Sequence, residues 1–421
     1  MTTIELGYGA NTVPFEYDEA RVELLAPGEW NDGPLSDVEI GNALDATIES
    51  RPLEEIVTAG DTVLIVVSDA TRATASAQVI NLLVRRLIQA GVGPSDLAII
   101  FATGIHRPPT DDEKRELLTP FIAQRIRTIE HNAYDRSQLV SLGETERGTP
   151  IEVNRALKDH SHVILTGAVG FHYFAGFTGG RKSVCPGLAS AQTIEATHML
   201  ALDFVSGGRR SGVAAGKLEG NVVHEECERV TELIAPSFII NTIVDERGRA
   251  RRVFAGNWRA AHRQACEDYA CRHSHEIKEK RAVVVVSCGG LPYDINLIQA
   301  HKALDMAAHA CVAGGEIILL AECADGLGRT DFLKWFDCYD SRALEQRLRA
   351  AYEVNGQTAW ALLTKTEQFR VSIISKLADD DVRQMRMSPA GTLEEALAGV
   401  QPGTRGYLMP RGAALLPVTI N

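Results

Sequence analysis

The sequence predicts an α/β protein of two lobes, in which helices cover mainly parallel sheets. Short β-branched runs alternate with longer amphipathic patterns, as in TVLIVVSD at 62–69, AQVINLLVRRLIQAGV at 77–92 and LAIIFATG at 97–104. The strand-like runs are almost uninterruptedly apolar, which is typical of strands buried on both faces of a parallel sheet. The length of 421 residues exceeds what one hydrophobic core normally supports, so two domains are expected.

Five later strand-like runs continue the α/β pattern, and the predicted domain boundary lies between two of them. They begin at His162, Ser237, Ala282, Glu316 and Arg370. The most hydrophilic helical segment, CRHSHEIKEKR at 271–281, comes just before the run that starts at Ala282. We therefore predict an N-terminal domain over 1–275 and a C-terminal α/β domain over 276–421, whose last strand could return to the N-terminal domain.

Composition and charge exclude several classes of protein. The formal net charge of −12 argues against a protein that coats nucleic acid, because such binding depends on clustered lysine and arginine. No apolar stretch reaches the roughly 18 residues that span a membrane, and the N-terminus MTTIELGYGANTVPFEYDE lacks the pattern of a secretory signal. The eight cysteines form no Cys-x-x-Cys pair, which favours buried free thiols in the cytoplasm over a disulfide or zinc framework.

The stretch FHYFAGFTGGRKSVCPG at 171–187 resembles a phosphate-binding loop but fails its spacing. A P-loop has four free positions between its first glycine and a contiguous Gly-Lys-Ser/Thr. Here Gly176 is followed by Phe-Thr-Gly-Gly-Arg-Lys-Ser, and the arginine at 181 interrupts the pattern. We therefore do not expect hydrolysis of a nucleoside triphosphate.

Polar residues follow three of the predicted strands directly. Asp69 and Arg72 follow the first, His106 follows the second, and His172 follows a third. Ligand sites in such sheets lie outside the carboxyl ends of the strands, and histidine can exchange protons near neutral pH or bind a metal. Two such bases at adjacent strand ends could face a common cleft from opposite sides.

Several polar residues have more than one interpretation from the sequence. Lys182 could hold a phosphate, form a covalent bond to a cofactor, or belong to an ordinary surface loop. Gln299 and Lys302 lie three apart and share a face if their segment is helical, which suits either a cleft or a solvated helix surface. Arg72 and Arg107 could each bind an anion; for Arg107 a surface salt bridge is an equal alternative.

In order along the chain, these motifs resemble those of the nickel-dependent lactate racemase family. The matching stretches are SDATR at 68–72, FATGIHRP at 101–108, GFHYFAGFTGGRKSVCPGLAS at 170–190 with His198 beyond it, and GGLPYDINLIQAHK at 289–302. The resemblance covers nearly the whole chain, and the long central motif is the most specific part of it.

The resemblance implies two α/β lobes with the active site in the cleft between them, and a cofactor bound by the N-terminal domain. That cofactor is a nickel-pincer nucleotide, a pyridinium mononucleotide whose thioamide and thiocarboxylate groups hold nickel. Carried over by position, Lys182 would be joined to it through the thioamide and His198 would be the protein ligand to nickel. The cofactor would also be bound by Asp69, Thr71, Gly179 and Gly180.

For the reaction, the resemblance implies racemisation or epimerisation of a 2-hydroxy acid. His106 and His172 would be the acid/base pair on opposite faces of the substrate, while Arg72, Gln299 and Lys302 would hold its carboxylate. Hydride would leave C2 for the pyridinium ring and return to the other face of the 2-keto acid. Cofactor-biosynthesis proteins would be the partners that load the nucleotide, whereas the oligomeric state stays open.

Two alternatives from other classes remain open at this stage. A non-catalytic carrier of the nickel nucleotide would need Lys182 and His198 but not both other histidines. A racemase or dehydratase that removes the C2 proton would use the histidines without hydride transfer.

The sequence departs from the lactate enzymes at three places. Ile298 stands where those enzymes have a tyrosine, and the motif GQTAWALL around Trp360 also differs. An expanded loop after the nickel histidine carries Arg209 and Arg210. A longer or more acidic substrate such as malate could use an extra arginine for a second carboxylate, or the pair could belong to a solvated loop.

Overall fold

The computed structural model describes residues 1–420, which pack as two compact units. We call them the terminal unit, made of 1–29, 202–210 and the chain from Ala270 onward, and the central unit, made of 30–201 and 211–269. The long C-terminal run of the terminal unit starts six residues before the predicted boundary at 275/276, and residues 1–29 pack with it.

The strands alternate with the helices along most of the chain. In chain order the strands are β1 Thr2–Tyr8, β2 Asn11–Tyr17, β3 Val22–Leu24, β4 Val63–Ser68, β5 Leu97–Ala102, β6 Arg127–Ile129, β7 Leu139–Glu144, β8 Pro150–Asn154, β9 His162–Ala168, β10 Phe171–His172, β11 Gly176–Phe177, β12 Phe238–Val244, β13 Ala250–Gly256, β14 Ser274–Ile277, β15 Arg281–Ser287, β16 Cys311–Leu320, β17 Arg370–Ile374, β18 Ser388–Ala390, β19 Gly406–Met409 and β20 Leu416–Thr419.

The α-helices are α1 Asp37–Asp45, α2 Ser76–Gln89, α3 Asp111–Arg125, α4 Ala156–Asp159, α5 Ala191–Met199, α6 Val222–Ile234, α7 Trp258–His273, α8 Leu297–Ala307, α9 Ser341–Ala350, α10 Val354–Gln368, α11 Asp379–Gln384 and α12 Leu393–Leu397. Short 3-10 helices cover Leu53–Glu55, Pro94–Asp96, Arg136–Gln138, Gly180–Ser183, Leu333–Asp337 and Gly412–Ala414.

The central unit is built on a six-stranded sheet in the order β13-β12-β9-β4-β5-β6. All neighbouring strands are parallel except β12 and β13. Strand β4 is fully buried over Val63–Val67, and the apolar face of α2 packs on it through Val79, Ile80 and Leu83. This burial on both faces explains why the strand sequences are apolar rather than alternating.

The terminal unit contains a second six-stranded sheet, entirely parallel, in the order β18-β17-β16-β15-β19-β3. Strand β3 comes from the N-terminal segment and lies at its edge. The last strand, β20, pairs in parallel with β14. The first two strands form an antiparallel hairpin whose Leu6 is fully buried.

The predicted fold class and strand runs are confirmed. The runs at 62–69 and 97–104 are β4 and β5, and the amphipathic pattern at 77–92 is α2, which begins one residue earlier. The cysteines are all free thiols, six of them buried; Cys271 is exposed and Cys338 half-buried, so the expectation of burial is wrong for those two. Among residues 1–420, no helix is both long enough and apolar enough to cross a membrane.

Candidate active site

A tight turn follows β4 and positions Asp69. The Asp69 carbonyl accepts a hydrogen bond from the Arg72 amide at 3.2 Å. Its Oδ1 accepts hydrogen bonds from the amide of Thr71 at 3.1 Å and from the Thr71 hydroxyl at 2.6 Å. An aspartate that bonds to the backbone two residues ahead stabilises such a turn locally. The turn therefore fixes the carboxylate at the carboxyl end of the sheet.

The second oxygen of this carboxylate contacts His106, which follows β5. Asp69 Oδ2 lies 2.7 Å from His106 Nδ1. The Asp69 side chain is 8% exposed, whereas that of His106 is 52% exposed. Burial raises the pKa of Asp69, but the hydrogen bond from His106 and the charge of Arg72 outweigh it and leave that pKa below its usual value. An ionised Asp69 accepts the Nδ1 proton of His106, so the imidazole Nε2 becomes the basic nitrogen.

His172 follows β9 and lies in the β10–β11 hairpin. Its Nδ1 accepts a hydrogen bond from the Ala175 amide at 3.2 Å. Its ring stacks on Tyr173 at 5.3 Å and meets the edge of Phe174 at 4.5 Å. The expectation that the two histidines follow adjacent strands is wrong, because β4 lies between β5 and β9 in the sheet. They therefore leave the sheet on either side of the strand that carries Asp69.

The glycines of the loop at 176–183 are required by close packing. Gly179 and Gly180 have positive φ angles of 74° and 56°. A Cβ on Gly180 would lie 2.5 Å from the His262 ring, and one on Gly179 would lie 2.9 Å from Asn241 Oδ1. The same Asn241 oxygen accepts the Gly180 amide at 3.0 Å. Only glycine fits both positions, because each combines a positive φ with a close neighbour.

Lys182 and His198 both neighbour the ring of Phe174. The Lys182 Nζ lies 5.6 Å from the ring centroid, and the His198 ring lies 5.1 Å from it. Burial, together with the charges of Arg181 and Arg72, lowers the pKa of Lys182 to about 7 although nearby thiols act in the opposite direction. The predicted cofactor-linked lysine and nickel-binding histidine thus lie on one aromatic side chain, and His172 contacts the same ring.

The imidazole of His198 is buried and neutral, the form in which histidine binds a metal. The residue is 7% exposed, and its Nδ1 has no hydrogen-bond partner within residues 1–420. Burial and the charge of Lys182 lower its pKa to about 3. The ring is therefore neutral at physiological pH, with one nitrogen unsatisfied. A buried polar atom without a partner costs free energy unless a ligand or water completes it.

Two residues that sequence reasoning did not single out hold this loop. Arg181 is fully buried and donates hydrogen bonds to the Ala175 carbonyl at 2.7 Å and to His262 Nε2 at 3.1 Å. Asn241 is fully buried in β12. A polar residue inside the apolar run FIINTIV is a signal that could have identified Asn241. Nothing in the sequence distinguishes a buried Arg181 from a solvated one.

Three further candidate residues, Gln299, Lys302 and Arg107, each contact a neighbouring side chain. Gln299 and Lys302 belong to α8 of the terminal unit, so the condition that their segment is helical is met, and Lys302 Nζ donates to Gln299 Oε1 at 2.5 Å. Arg107 pairs with Glu113 at 2.6 Å while its side chain is 64% exposed, so the surface salt bridge is the correct interpretation.

Arg209 of the expanded loop is neither solvated nor unpaired. Its Nη2 lies 3.0 Å from Asp305 Oδ1 on α8, and its side chain is 19% exposed. Lys365 of α10 reaches the same oxygen at 3.0 Å. Arg210, in contrast, is exposed. The solvated-loop interpretation therefore fits Arg210 but is wrong for Arg209.

The chain matches known lactate racemases over most of its length. Residues 8–207 match the family described as "Lactate racemase N-terminal domain", and residues 277–404 match "Lactate racemase C-terminal domain". A lactate racemase of Lactiplantibacillus plantarum is 30% identical over 414 residues, and one of Thermoanaerobacterium thermosaccharolyticum is 27% identical over 411, each match covering 94% of both chains.

Solved structures give the same result for the fold. The lactate racemase apoprotein from Thermoanaerobacterium thermosaccharolyticum superposes with a TM-score of 0.90 at 26% identity, covering 99% of this chain and 100% of that one. A crystal structure of a Thermotoga maritima protein has a TM-score of 0.69 at 19% identity and covers 93% of this chain and 100% of its own, which is a likeness of fold alone.

Proposed function

Because the chain belongs to the lactate racemase family, we propose that it is a racemase or epimerase of a small 2-hydroxy acid. The observation that carries the proposal is the Asp69–His106 hydrogen bond of 2.7 Å, together with His172 on the other side of β4. In racemisation by hydride transfer, the hydroxyl proton is taken from one enantiomer and a proton is returned to the oxygen of the other, and histidines on opposite sides of one strand could carry out these two transfers.

The residues present fit a covalently held nickel nucleotide. His198 presents a neutral imidazole whose Nδ1 has no partner among the described residues, and imidazole suits nickel as a ligand. The lowered pKa of Lys182 leaves part of its amine neutral near pH 7, the nucleophilic form that a thioamide link needs. We propose that Lys182 and His198 hold the cofactor, with Thr71, Gly179 and Gly180 lining its site.

When bound, this cofactor would supply the nickel and the ring that accepts the substrate hydride and returns it. The protein's own residues would do the proton chemistry. His106 takes the hydroxyl proton at Nε2, since Nδ1 is committed to Asp69. The negative charge of Asp69 stabilises the imidazolium that forms. We thus assign Asp69 the role of orienting His106, a role similar to that of the aspartate in a catalytic triad.

On the opposite face, His172 would complete the inversion. Its Nδ1 accepts the Ala175 amide, which leaves Nε2 for proton exchange. As the acid, His172 would start as the imidazolium, with the Ala175 contact broken, give its Nε2 proton to the oxygen of the 2-keto acid and become neutral. In the reverse direction the two histidines exchange roles. Arg72, Gln299 and Lys302 are proposed to bind the substrate carboxylate, for which guanidinium, amide and ammonium donors are suited.

Chiral analysis in deuterated water tests this proposal. Cofactor-loaded protein, verified by intact mass, is incubated with single enantiomers of a panel of 2-hydroxy acids. We expect interconversion without deuterium at C2, because the hydride is returned internally. Deuterium at C2 would instead establish proton abstraction. A loaded protein that converts no acid of the panel would contradict a racemase and support a carrier of the nickel nucleotide.

A further inference from the structure

His172 lies in a short hairpin whose own hydrogen bonds are too few to fix its position. Strands β10 and β11 have two residues each, and an isolated two-stranded hairpin is at best marginally stable in water. The turn between them, residues 173–175, is buried. Its conformation must therefore depend on contacts with the rest of the central unit.

Two buried side chains donate hydrogen bonds to successive carbonyls of this turn. Asn221 Nδ2 donates to the Phe174 carbonyl at 3.0 Å, and Arg181 Nη2 donates to the Ala175 carbonyl at 2.7 Å. Both side chains are fully buried. The Oδ1 of Asn221 accepts amides at the start of α6, which fixes the orientation of its side-chain amide. A guanidinium and an amide NH₂ only donate and a carbonyl only accepts, so each contact has one possible direction.

The contact of Asn221 reaches His172 through a single peptide group. The Phe174 carbonyl and the Ala175 amide belong to the same peptide, and that amide donates to His172 Nδ1 at 3.2 Å. A hydrogen bond received by a carbonyl polarises its peptide and makes the attached N–H a stronger donor. Asn221 therefore holds this peptide in place and strengthens its hydrogen bond to the imidazole.

The contact of Arg181 joins the turn to the loop that carries Lys182. Arg181 precedes Lys182 directly, and within residues 1–420 its hydrogen bonds go to the Ala175 carbonyl and to His262 and not to a carboxylate. Burying a cation without a paired carboxylate costs free energy, and an apolar side chain could fill the same space without that cost. The charge therefore indicates a role for this contact beyond packing.

Resting on the proposed function, we infer that Arg181 and Asn221 are positioning residues that act on His172 through the turn at 173–175. They hold the two peptides of this turn in place, so the neutral imidazole keeps Nδ1 on the Ala175 amide and leaves Nε2 for proton exchange. After the imidazolium has given up its proton, the same amide is in place to donate to Nδ1 again. Neither side chain is assigned a contact with the substrate.

Hydrogen exchange of the apoprotein tests the contact without any activity. The variants are Arg181→Met and Asn221→Ser; serine can still cap α6 but is too short to reach the Phe174 carbonyl. In both, the Ala175 amide should exchange at least about 10-fold faster, the effect of losing one hydrogen bond, as measured by mass spectrometry of peptides that span the hairpin. Arg251→Met is the matched control, because Arg251 is a buried arginine of the same unit that donates to the Asp32 carbonyl.

Kinetics of the loaded proteins test the role in the reaction, with rates normalised to the adduct measured by intact mass. Arg181→Met and Asn221→Ser should each lower kcat by about 10- to 100-fold, the usual effect of misplacing a catalytic group by about 1 Å, while KM changes less than threefold. Arg181→Lys keeps a cationic donor and should recover at least about 10-fold of the loss in kcat. If Arg181→Met does not fold, Asn221→Ser carries the test.

Three outcomes would overturn the inference. The first is a folded, loaded Asn221→Ser or Arg181→Met protein with the kcat of the wild type. The second is an equal acceleration of exchange in β4 and in the hairpin, which would show a general loss of stability. The third is a loaded wild-type protein that converts no 2-hydroxy acid; the proposed function then fails, and the role in the reaction falls with it even where the Ala175 amide behaves as expected. Racemisation by the wild type with unaffected variants contradicts only the inference.

Discussion

The carboxyl edges of the two six-stranded sheets differ in how they use charged side chains. In the central unit, Asp69 of this edge is hydrogen-bonded to His106, and the buried His198 keeps Nδ1 without a partner among the described residues. In the terminal unit, the fully buried Asp294 accepts the backbone amides of Gly9 at 2.7 Å and Glu322 at 3.1 Å. The edge in the central unit presents groups that can exchange protons or bind a metal. At the edge in the terminal unit, Asp294 stabilises two loops through hydrogen bonds to their backbone.

Two buried charged groups, one in each unit, are also held differently. In the terminal unit Asp305 is shared by Arg209 and Lys365, whereas in the central unit the fully buried Arg181 is held by a carbonyl and an imidazole. Charges that are already paired contribute to stability, and polar groups that are incompletely paired are those a ligand can complete. We therefore expect substitutions at the candidate site of the central unit to affect mainly the reaction, and substitution of Asp305 in the terminal unit to affect mainly stability.

The largest effect is expected at the proposed cofactor attachment. Lys182→Ala removes the only atom that can form the thioamide link, so covalent adduct and racemisation should both be lost. Intact mass after loading measures the first and chiral chromatography the second. Lys158→Ala, at an exposed lysine of the same unit, is the control and should retain the adduct. An adduct of unchanged mass on the Lys182 variant would refute the assignment.

The next effect concerns the acid/base pair. His106→Ala or His172→Ala should lower kcat by about 10²- to 10⁴-fold, the usual contribution of a positioned acid or base, while nickel and the adduct remain. Asp69→Asn should have a smaller effect than His106→Ala, because it preserves the shape but weakens orientation of the ring. His160→Ala serves as the control. Wild-type turnover in either histidine variant would remove that residue from the mechanism.

A stability effect of intermediate size is expected in the terminal unit. Asp305→Asn leaves Arg209 and Lys365 without their shared counter-ion, which should lower the free energy of unfolding by about 3–5 kcal/mol. Denaturation in urea measures it. Asp379→Asn breaks an ion pair with Arg383 whose side chains are 64% and 58% exposed, and should cost less than about 1 kcal/mol. Equal costs at both positions would show that burial does not distinguish the two pairs.

The smallest effect concerns acid stability. Burial lowers the pKa of His131 to about 4 in the folded protein, compared with about 6.5 for an unfolded histidine. Because the folded state binds the proton less well, this contribution is fully present above about pH 6.5 and is lost as pH falls towards 4. Between pH 7 and 5.5 His131→Gln should reduce the acid-induced loss of stability by about 1 kcal/mol, measured by urea titration at both values. His160→Gln is the matched control, and the same reduction in it would contradict the prediction.

The fold was predictable because each main strand is buried on both faces and therefore continuously apolar. The runs at 62–69 and 97–104 are β4 and β5. Helix α2 packs on them with the apolar face that the amphipathic pattern at 77–92 predicts. The candidate residues Asp69, Arg72, His106 and His172 were recognisable because they directly follow strands, where parallel sheets place their ligand sites. The motifs, taken together and in order, indicated the lactate racemase family.

What the sequence could not determine were pairings between residues far apart in the chain. The role of Asp69 depends on a contact with His106, 37 residues away, and the position of Arg209 depends on Asp305, 96 residues away. Along the chain, β9 is the next long apolar strand after β5. In the sheet, however, β4 lies between these two strands because of the crossover connections. Local sequence determines burial and secondary structure through side-chain periodicity, whereas only the folded chain decides which charges meet, because that depends on how distant elements pack.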